Sequence, residues 1–566
     1  MNNQAPRVIE LAMRRYKAQA SLFEPRPSRM NLLDIDLPGQ THCAATVVNV
    51  WRNHGFESIQ PLIAPYAAFR SWPLSFRLGA YDDSFSFNGI QAASVELLWM
   101  DASRLLSRIK FSDWLEWLKA RLGALRQTSC APVVLATWVE GEGQRESLES
   151  TIARFPAVYF ADLAKACAEA DIPLLDHRTA TLAGTPISNR AQVLLARTLA
   201  CKWLAGACLP PVKALALDLD NTLHSGVLGE EGHDNVMLTV GHLNLQRYLK
   251  ELQQRGVFIT LVSRNETADV KELFSKRSDY PLRWEDFSAI EISWGNKASA
   301  IKRIADTLRI STDSILFVDD NPGELAEVTQ ALSRLQTLHA SQDAEHTRLA
   351  VEYFPGLWRW KQEADDVKRI RDISASVERE SLVATYADPA EYFRSLQVHL
   401  TYYANAYPQL GRLSDLCRKT NQFNLAIRRF SEAELFDRMR RPDTCVASVQ
   451  LVDRLSDSGV ISVIVAERVG TTIQVQELCI SCRAIGRRLE NDIIVQAILR
   501  MPIWSGCEKV EFLVQDGERN QPARNWLNSL FEELPPTVIQ GQSQTLSADV
   551  LQKIRPSEGV LMSNGE

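Results

Sequence analysis

The chain has 566 residues, is 45% apolar and 23% charged, and carries a formal net charge of −6. That length exceeds one core and suggests roughly three or four domains of ordinary globular composition. There is no basic footprint for nucleic acid, the ten cysteines are too sparse for a disulfide scaffold, and no run reaches signal-peptide or membrane length, so a reducing cytoplasm and no membrane partner are expected.

Residues 1–209 alternate helical and apolar stretches, as an α/β layer domain does. Met1 to Gln19 reads as an amphipathic helix. Apolar patches follow at SVELLWMDAS from Ser94, APVVLATWVEG from Ala131 and FPAVYFADL from Phe155, with a helix over Phe111 to Leu125. There is no Gly-rich phosphate loop and no serine elbow. Asp176–His177 has the chemistry of the acid and base of a serine-type hydrolase, but no partner serine occurs in a suitable turn, so a loop pair is the stronger reading. Ala191 to Leu209 has helical spacing and leads to Pro210–Pro211, an expected domain boundary.

From 210 to 341 the pattern becomes strand, helix, strand. Ala214 to Leu217 is a short buried-type run that delivers Asp218 and Asp220 to its carboxyl end, where ligands bind in open α/β sheets. A helix over Leu243 to Arg255 stops at Gly256. VFITLVSRNE then ends a second strand in Ser263, Arg264 and Asn265. Lys297 opens a helix with Ile301, Ile304 and Leu308 on one face, and DSILFVDDNPGE ends a third strand in Asp319 and Asp320. These elements predict a doubly wound parallel sheet.

The strand ends assemble into one site. Asp218 is the candidate nucleophile and Asp220 the acid/base. Asp218 and Asp319 or Asp320 can share Mg²⁺ with a backbone carbonyl near Asp220. Ser263 can bond a phosphoryl oxygen and Lys297 can neutralise developing charge, with Thr222, Arg264 and Asn265 as further substrate-binding candidates. Singly each element is bland, since a lysine at a helix start is usually solvated and Asp-Asp-Asn-Pro is usually a turn. As an ordered set in one domain they are hard to explain by packing.

This set resembles the four motifs of the haloacid dehalogenase superfamily. DLDNTLHSGVLGEEG, VSRNE, Trp294 to Lys297 and FVDDNPGE are more specifically similar to its FkbH-like branch, subfamily IIIC. Where that branch continues its first motif with Trp-Gly-Gly, this chain has His224, Ser225 and Gly226, a departure beside the catalytic turn that can alter substrate closure.

Residues 342–395 are rich in charge and helix formers and read as a charge-laced helical linker. The last domain, 396–566, resumes strand character at HLTYYANA. It combines a helix and polar turn carrying Asn421, Gln422, Asn424 and Arg428 with a hairpin around Asp453 to Gly459. A strand–turn–helix unit follows, whose Arg483, Gly486 and Arg487 can offer backbone N–H groups and positive charge to a pyrophosphate; a basic helix start is the equal alternative. Cys482, beside Arg483 and before the helix, is placed for thiolate chemistry. A zinc role for Cys479 with Cys482 lacks further ligands, and Cys417 and Cys507 are better read as buried packing.

KTNQFNL, SCRAIGRRLE and PARNWLNSLF resemble the C-terminal acetyltransferase-like half of FkbH-like proteins, so the resemblance covers roughly 170–540. It implies an α+β acetyltransferase-like final domain and a degenerate serine-esterase-like first domain. It further implies transfer of a glyceryl unit from 1,3-bisphosphoglycerate to the phosphopantetheine thiol of an acyl carrier protein in polyketide-type biosynthesis, with Mg²⁺-dependent removal of the second phosphate. The rivals are a plain Mg²⁺-dependent phosphatase with a partner-binding C-terminal domain, an acyl-CoA-dependent acyltransferase, and a non-enzymatic scaffold.

Overall fold

The computed structural model describes residues 5–37, 45–176, 178, 184–361, 364–386, 388–517, 519–531 and 543–565. The chain forms two compact units, Met1–Gln362 and Glu363–Glu566.

The first unit carries two parallel sheets. β1 (Thr46–Arg52), β2 (Leu74–Tyr81), β3 (Val95–Trp99), β4 (Val133–Thr137) and β5 (Val158–Asp162) pair in the order β2-β1-β3-β4-β5. β6 (Ala214–Leu217), β7 (Phe258–Ser263), β8 (Ala289–Ile292), β9 (Ile315–Asp319) and β10 (Gln336–His339) pair in the order β10-β9-β6-β7-β8. In β3, β4, β6, β7 and β9 every residue is buried, as strands covered on both faces require. That is why these runs are legible as continuous apolar stretches. The second sheet reverses direction of growth between β6 and β9, which places a ligand crevice outside their carboxyl ends.

Pro210–Pro211 does not divide two cores. One apolar cluster runs from Phe23, Phe69 and Leu97 through Leu204 to Leu217, Leu261 and Phe354. The helix Ala5–Leu22 reaches the edge of the second sheet, where Gln19 Nε2 donates to the His339 carbonyl at 2.7 Å and His339 N donates to Gln19 Oε1 at 3.1 Å. The expected linker is also divided: the helix Ala344–Glu352 packs on the helix Val240–Gln254 in the first unit, and the helix Ala364–Thr385 belongs to the second.

The second unit is a mixed sheet of β11 (His399–Ala404), β12 (Thr444–Val452), β13 (Asp457–Val469), β14 (Thr472–Ile480), β15 (Lys509–Phe512), β16 (Gln544–Ser547) and β17 (Leu561–Asn564), in the order β16-β15-β14-β13-β12-β11-β17. β11 to β14 are antiparallel neighbours and β12–β13 is the expected hairpin, whereas β14 and β15 run parallel. Only Thr472 to Val475 of β14 pairs with β15. Beyond that point Leu425 N donates to Leu478 O, Ile480 N to Phe423 O and Gln515 N to Leu425 O, so the segment Phe423–Leu425 fills the split between the strands.

The helix Ala364–Thr385 is not a solvated linker. Asp372 and Arg379, seven residues apart on one helical face, are both buried. Arg379 donates to both oxygens of Asp453, and Arg487 pairs with Asp372 at 2.9 Å and Asp453 at 3.0 Å. Of the cysteines, Cys417 and Cys479 are buried in one cluster as expected of packing, while Cys507 is half-buried and its thiol donates to the Lys509 carbonyl.

Candidate functional site

The site lies at the carboxyl ends of β6, β7 and β9. Asp218 follows β6 directly, and its N–H donates to the Val318 carbonyl of β9, which locks the two strand ends together. Asp319 ends β9 and is fully buried. Lys297 is the first residue of the helix Lys297–Thr307, started by the Asn296 side chain accepting from Ser299 N. Its ammonium donates to Asp218 Oδ1 at 2.8 Å and to Asp319 Oδ2 at 2.6 Å. The reading of a solvated lysine is thereby excluded.

Asp218, Asp319 and Asp320 are a group among the described residues able to hold a metal ion, their ligand oxygens lying within 4.8 Å of one another. Three carboxylates against one ammonium leave an excess of buried negative charge, and an all-oxygen set of this kind suits a hard divalent cation such as Mg²⁺. Burial and the neighbouring Asp319 charge push the Asp218 carboxyl above its usual range, against the opposing Lys297. Burial and Asp319 likewise raise Asp320. Lys297 is held above its usual value: burial alone would lower it, but the two carboxylates outweigh that. It keeps its proton.

Asp220 is set up differently. Its Oδ1 accepts from Leu228 N at 2.9 Å and lies 3.3 Å from His224 Nε2, and its Oδ2 accepts from Asn265 Nδ2 at 2.8 Å. Burial would raise its pKa, but the His224, Leu228 and Asn265 bonds bring it below the usual carboxylate range. The Asp220 carboxylate is thus engaged by these donors and is not one of the acidic group, which leaves the backbone carbonyl near it as the metal ligand expected there. The turn that presents it needs Asn221 in the left-handed region, at φ 51°, where Asn is tolerated. Asn221 Oδ1 accepts from Gly226 N at 2.9 Å; a Cβ on Gly226 would lie 2.6 Å from the Glu231 carboxylate.

Ser263 is buried at the end of β7, and its hydroxyl accepts from Asn265 Nδ2 at 3.0 Å. Asn265 thus ties Ser263 to Asp220. Thr222 is buried with no hydrogen-bond partner for its hydroxyl among the described residues. Arg264 is part-exposed and pairs with Glu324 at 2.8 Å. His224, noted in the sequence only as a departure from a motif, is a member of the site that the pattern did not reveal.

Elsewhere, His177 lies outside the described residues, and Asp176 pairs with Arg178 at 3.2 Å. In the second unit Asn421, Gln422 and Arg428 are exposed, but Asn424 is buried, its Oδ1 accepting from Ile427 N at 2.7 Å. Arg483 and Arg487 are both engaged within the protein. Arg483 donates to the Ser458 carbonyl at 2.6 Å, and Arg487 closes the buried ion-pair network. Gly486 N donates to Glu490 Oε1 at 3.3 Å. The helix begins at Glu490, so half-buried Cys482 sits in a turn and not at a helix N-terminus.

No protein-family model matches the chain, and no curated protein does. Among solved structures, the chain is similar to the N-terminal part of the protein BF1531 from Bacteroides fragilis, described as containing a phosphatase domain complexed with Mg. The identity is 19%, over 56% of this chain and 95% of that one, with a TM-score of 0.44. It is also similar to a hypothetical protein, XCC2798, from Xanthomonas campestris, at 19% identity over 31% of this chain and 90% of that one, with a TM-score of 0.19. These likenesses are too distant to carry a functional argument, which rests on the geometry of the chain itself. Among the described residues no helix is long and apolar enough to cross a membrane.

Proposed function

We propose that the first unit is a Mg²⁺-dependent phosphohydrolase acting through Asp218. The observation that carries this is the convergence of Asp218, Asp319, Asp320 and Lys297 at the point where strand order reverses. Asp218, Asp319 and Asp320 would hold the cation, which supplies charge neutralisation for phosphoryl oxygens. An Asp218 oxygen attacks phosphorus as the bond to the leaving oxygen breaks, and that oxygen takes its proton from the protonated fraction of Asp220, a stronger acid for its lowered pKa. Water then attacks phosphorus, the bond to Asp218 breaks, and the water proton passes to Asp220. Lys297 balances charge on the transferring group, and the Ser263 hydroxyl hydrogen-bonds one of its oxygens.

The finer reading is that the phosphate is trimmed from a glyceryl unit, derived from 1,3-bisphosphoglycerate, bound for the phosphopantetheine thiol of an acyl carrier protein. Its support is the motif resemblance, together with the half-buried Cys482 thiol in the turn after β14. The Phe423–Leu425 segment occupies the edge of β14, so no extended arm, of coenzyme A or of a carrier protein, can add to that strand there.

Incubation with 1,3-bisphosphoglycerate, Mg²⁺ and holo carrier protein, followed by intact-mass measurement, tests this reading. A glyceryl adduct on the carrier is expected, and it should be lost in Cys482→Ala. Phosphate release with no adduct removes the transferase half, and loading that survives Cys482→Ala removes the thiol.

A further inference from the structure

We infer that His224 is a positioning residue for proton transfer by Asp220, an inference that rests on the phosphohydrolase reading. Three donors meet one carboxylate: Leu228 N and His224 Nε2 at Oδ1, Asn265 Nδ2 at Oδ2. Both oxygens are held, so rotation about the Cβ–Cγ bond cannot swing the proton-bearing oxygen away from the leaving group. Without His224, Oδ1 would be held by Leu228 N alone, and proton transfer depends steeply on such geometry.

The surroundings of His224 point to the same role. The side chain is fully buried, and its ring meets Tyr280 edge-on at 6.2 Å between centroids. Its Nδ1 has no hydrogen-bond partner among the described residues. Packing alone gives no reason for a polar ring here, since a buried unpaired nitrogen costs stability that an apolar ring would avoid. The ring's polar contact is the Nε2 bond to Asp220, which places the ring proton on Nε2 facing the carboxylate. The backbone at the same point is fixed from behind: buried Gln246 donates to the Leu223 carbonyl at 2.8 Å and accepts from Leu282 N at 3.3 Å. His224 therefore enters the site from a clamped segment.

The reaction has one step that senses this placement selectively. When Asp218 displaces an alkoxide, the leaving oxygen needs the Asp220 proton; a nitrophenolate leaves without it. In kcat/KM, which reports transfer to Asp218, a misplaced Asp220 is felt by alkyl phosphates and hardly by activated aryl phosphates. A purely structural role for His224 would lower both together.

The test measures kcat/KM for a series from p-nitrophenyl phosphate to simple alkyl phosphates, with Mg²⁺, for the full-length protein, His224→Phe and His224→Gln. Phe keeps a ring against Tyr280 without the donor, and Gln returns an N–H at the position of Nε2. His224→Phe should lose about 10-fold more on alkyl than on aryl esters, with His224→Gln recovering most of the difference. Asn265→Ala, acting on the other oxygen, should steepen the same dependence if His224→Phe does not fold. A uniform loss across the series, or a Gln variant no better than Phe, overturns the inference while leaving the phosphohydrolase standing. A full-length protein that hydrolyses none of the esters overturns the phosphohydrolase reading itself.

Discussion

The carboxyl ends of β6 and β9 and the turns that follow β12 and β14 both gather buried charge, yet the two gatherings are built oppositely. At the first, three carboxylates crowd one ammonium. In the second unit, Asp372 and Asp453 meet Arg379 and Arg487, two charges of each sign. The balanced network is complete in itself and serves to fasten the helix Ala364–Thr385 to the sheet. The unbalanced one is relieved by further positive charge, a cation or a proton on Asp218, and that imbalance marks it as the candidate site. A basic motif is thus a weaker guide to function than the sum of the charges it is folded against.

The sharpest way to break this contrast is at Asp218. Asp218→Asn keeps the shape and removes the nucleophile, so hydrolysis of any phosphate ester should fall by on the order of 10⁴-fold or more. Appreciable turnover in that variant, measured by phosphate release, would place the chemistry elsewhere. Next is Arg487→Met, which leaves Asp372 and Asp453 under-compensated in the interior. It should destabilise the second unit by about 3–5 kcal/mol in urea unfolding, and a further Asp372→Leu change should return part of that loss. An effect under about 1 kcal/mol would mean that the network is a surface feature. The smallest effect expected is stabilisation by Mg²⁺ of the full-length protein, about 2–3 kcal/mol at a hundredfold excess over Kd. It should shrink in Asp319→Asn, and a melting temperature indifferent to Mg²⁺ would contradict the unbalanced-charge argument.

The sequence revealed the site's strands because they are buried on both faces and end abruptly in acid: ALAL before Asp218 and ILFV before Asp319 have no other reading as compact elements. Lys297 was legible through its place at a helix start in the same domain. What stayed hidden depends on contacts distant in sequence. Asp372 and Arg379 look like a solvated helical face, and only Asp453, 74 residues beyond Arg379, makes that face an interior one. The same holds for Phe423–Leu425, whose neighbours on either side, Leu478 and Gln515, come from much later in the chain. His224 was visible only as a departure from a motif, because its role lies in which atom of Asp220 it meets.

The pairing of Gln19 with His339 has a practical consequence. β10 is the outer strand of the second sheet, and an uncovered edge is a template for pairing with another chain. Gln19 offers its side-chain amide to the His339 N–H and carbonyl as a neighbouring strand would, while Tyr16 lies 5.5 Å from the His339 ring. His339 in turn meets the Asp320 carbonyl at 2.9 Å, beside the metal-binding group. A protein shortened to begin at residue 210 would keep every expected catalytic residue but bare this edge and loosen the segment behind Asp320. It should self-associate, a change in size measurable by light scattering, because the first helix covers that edge in the full chain.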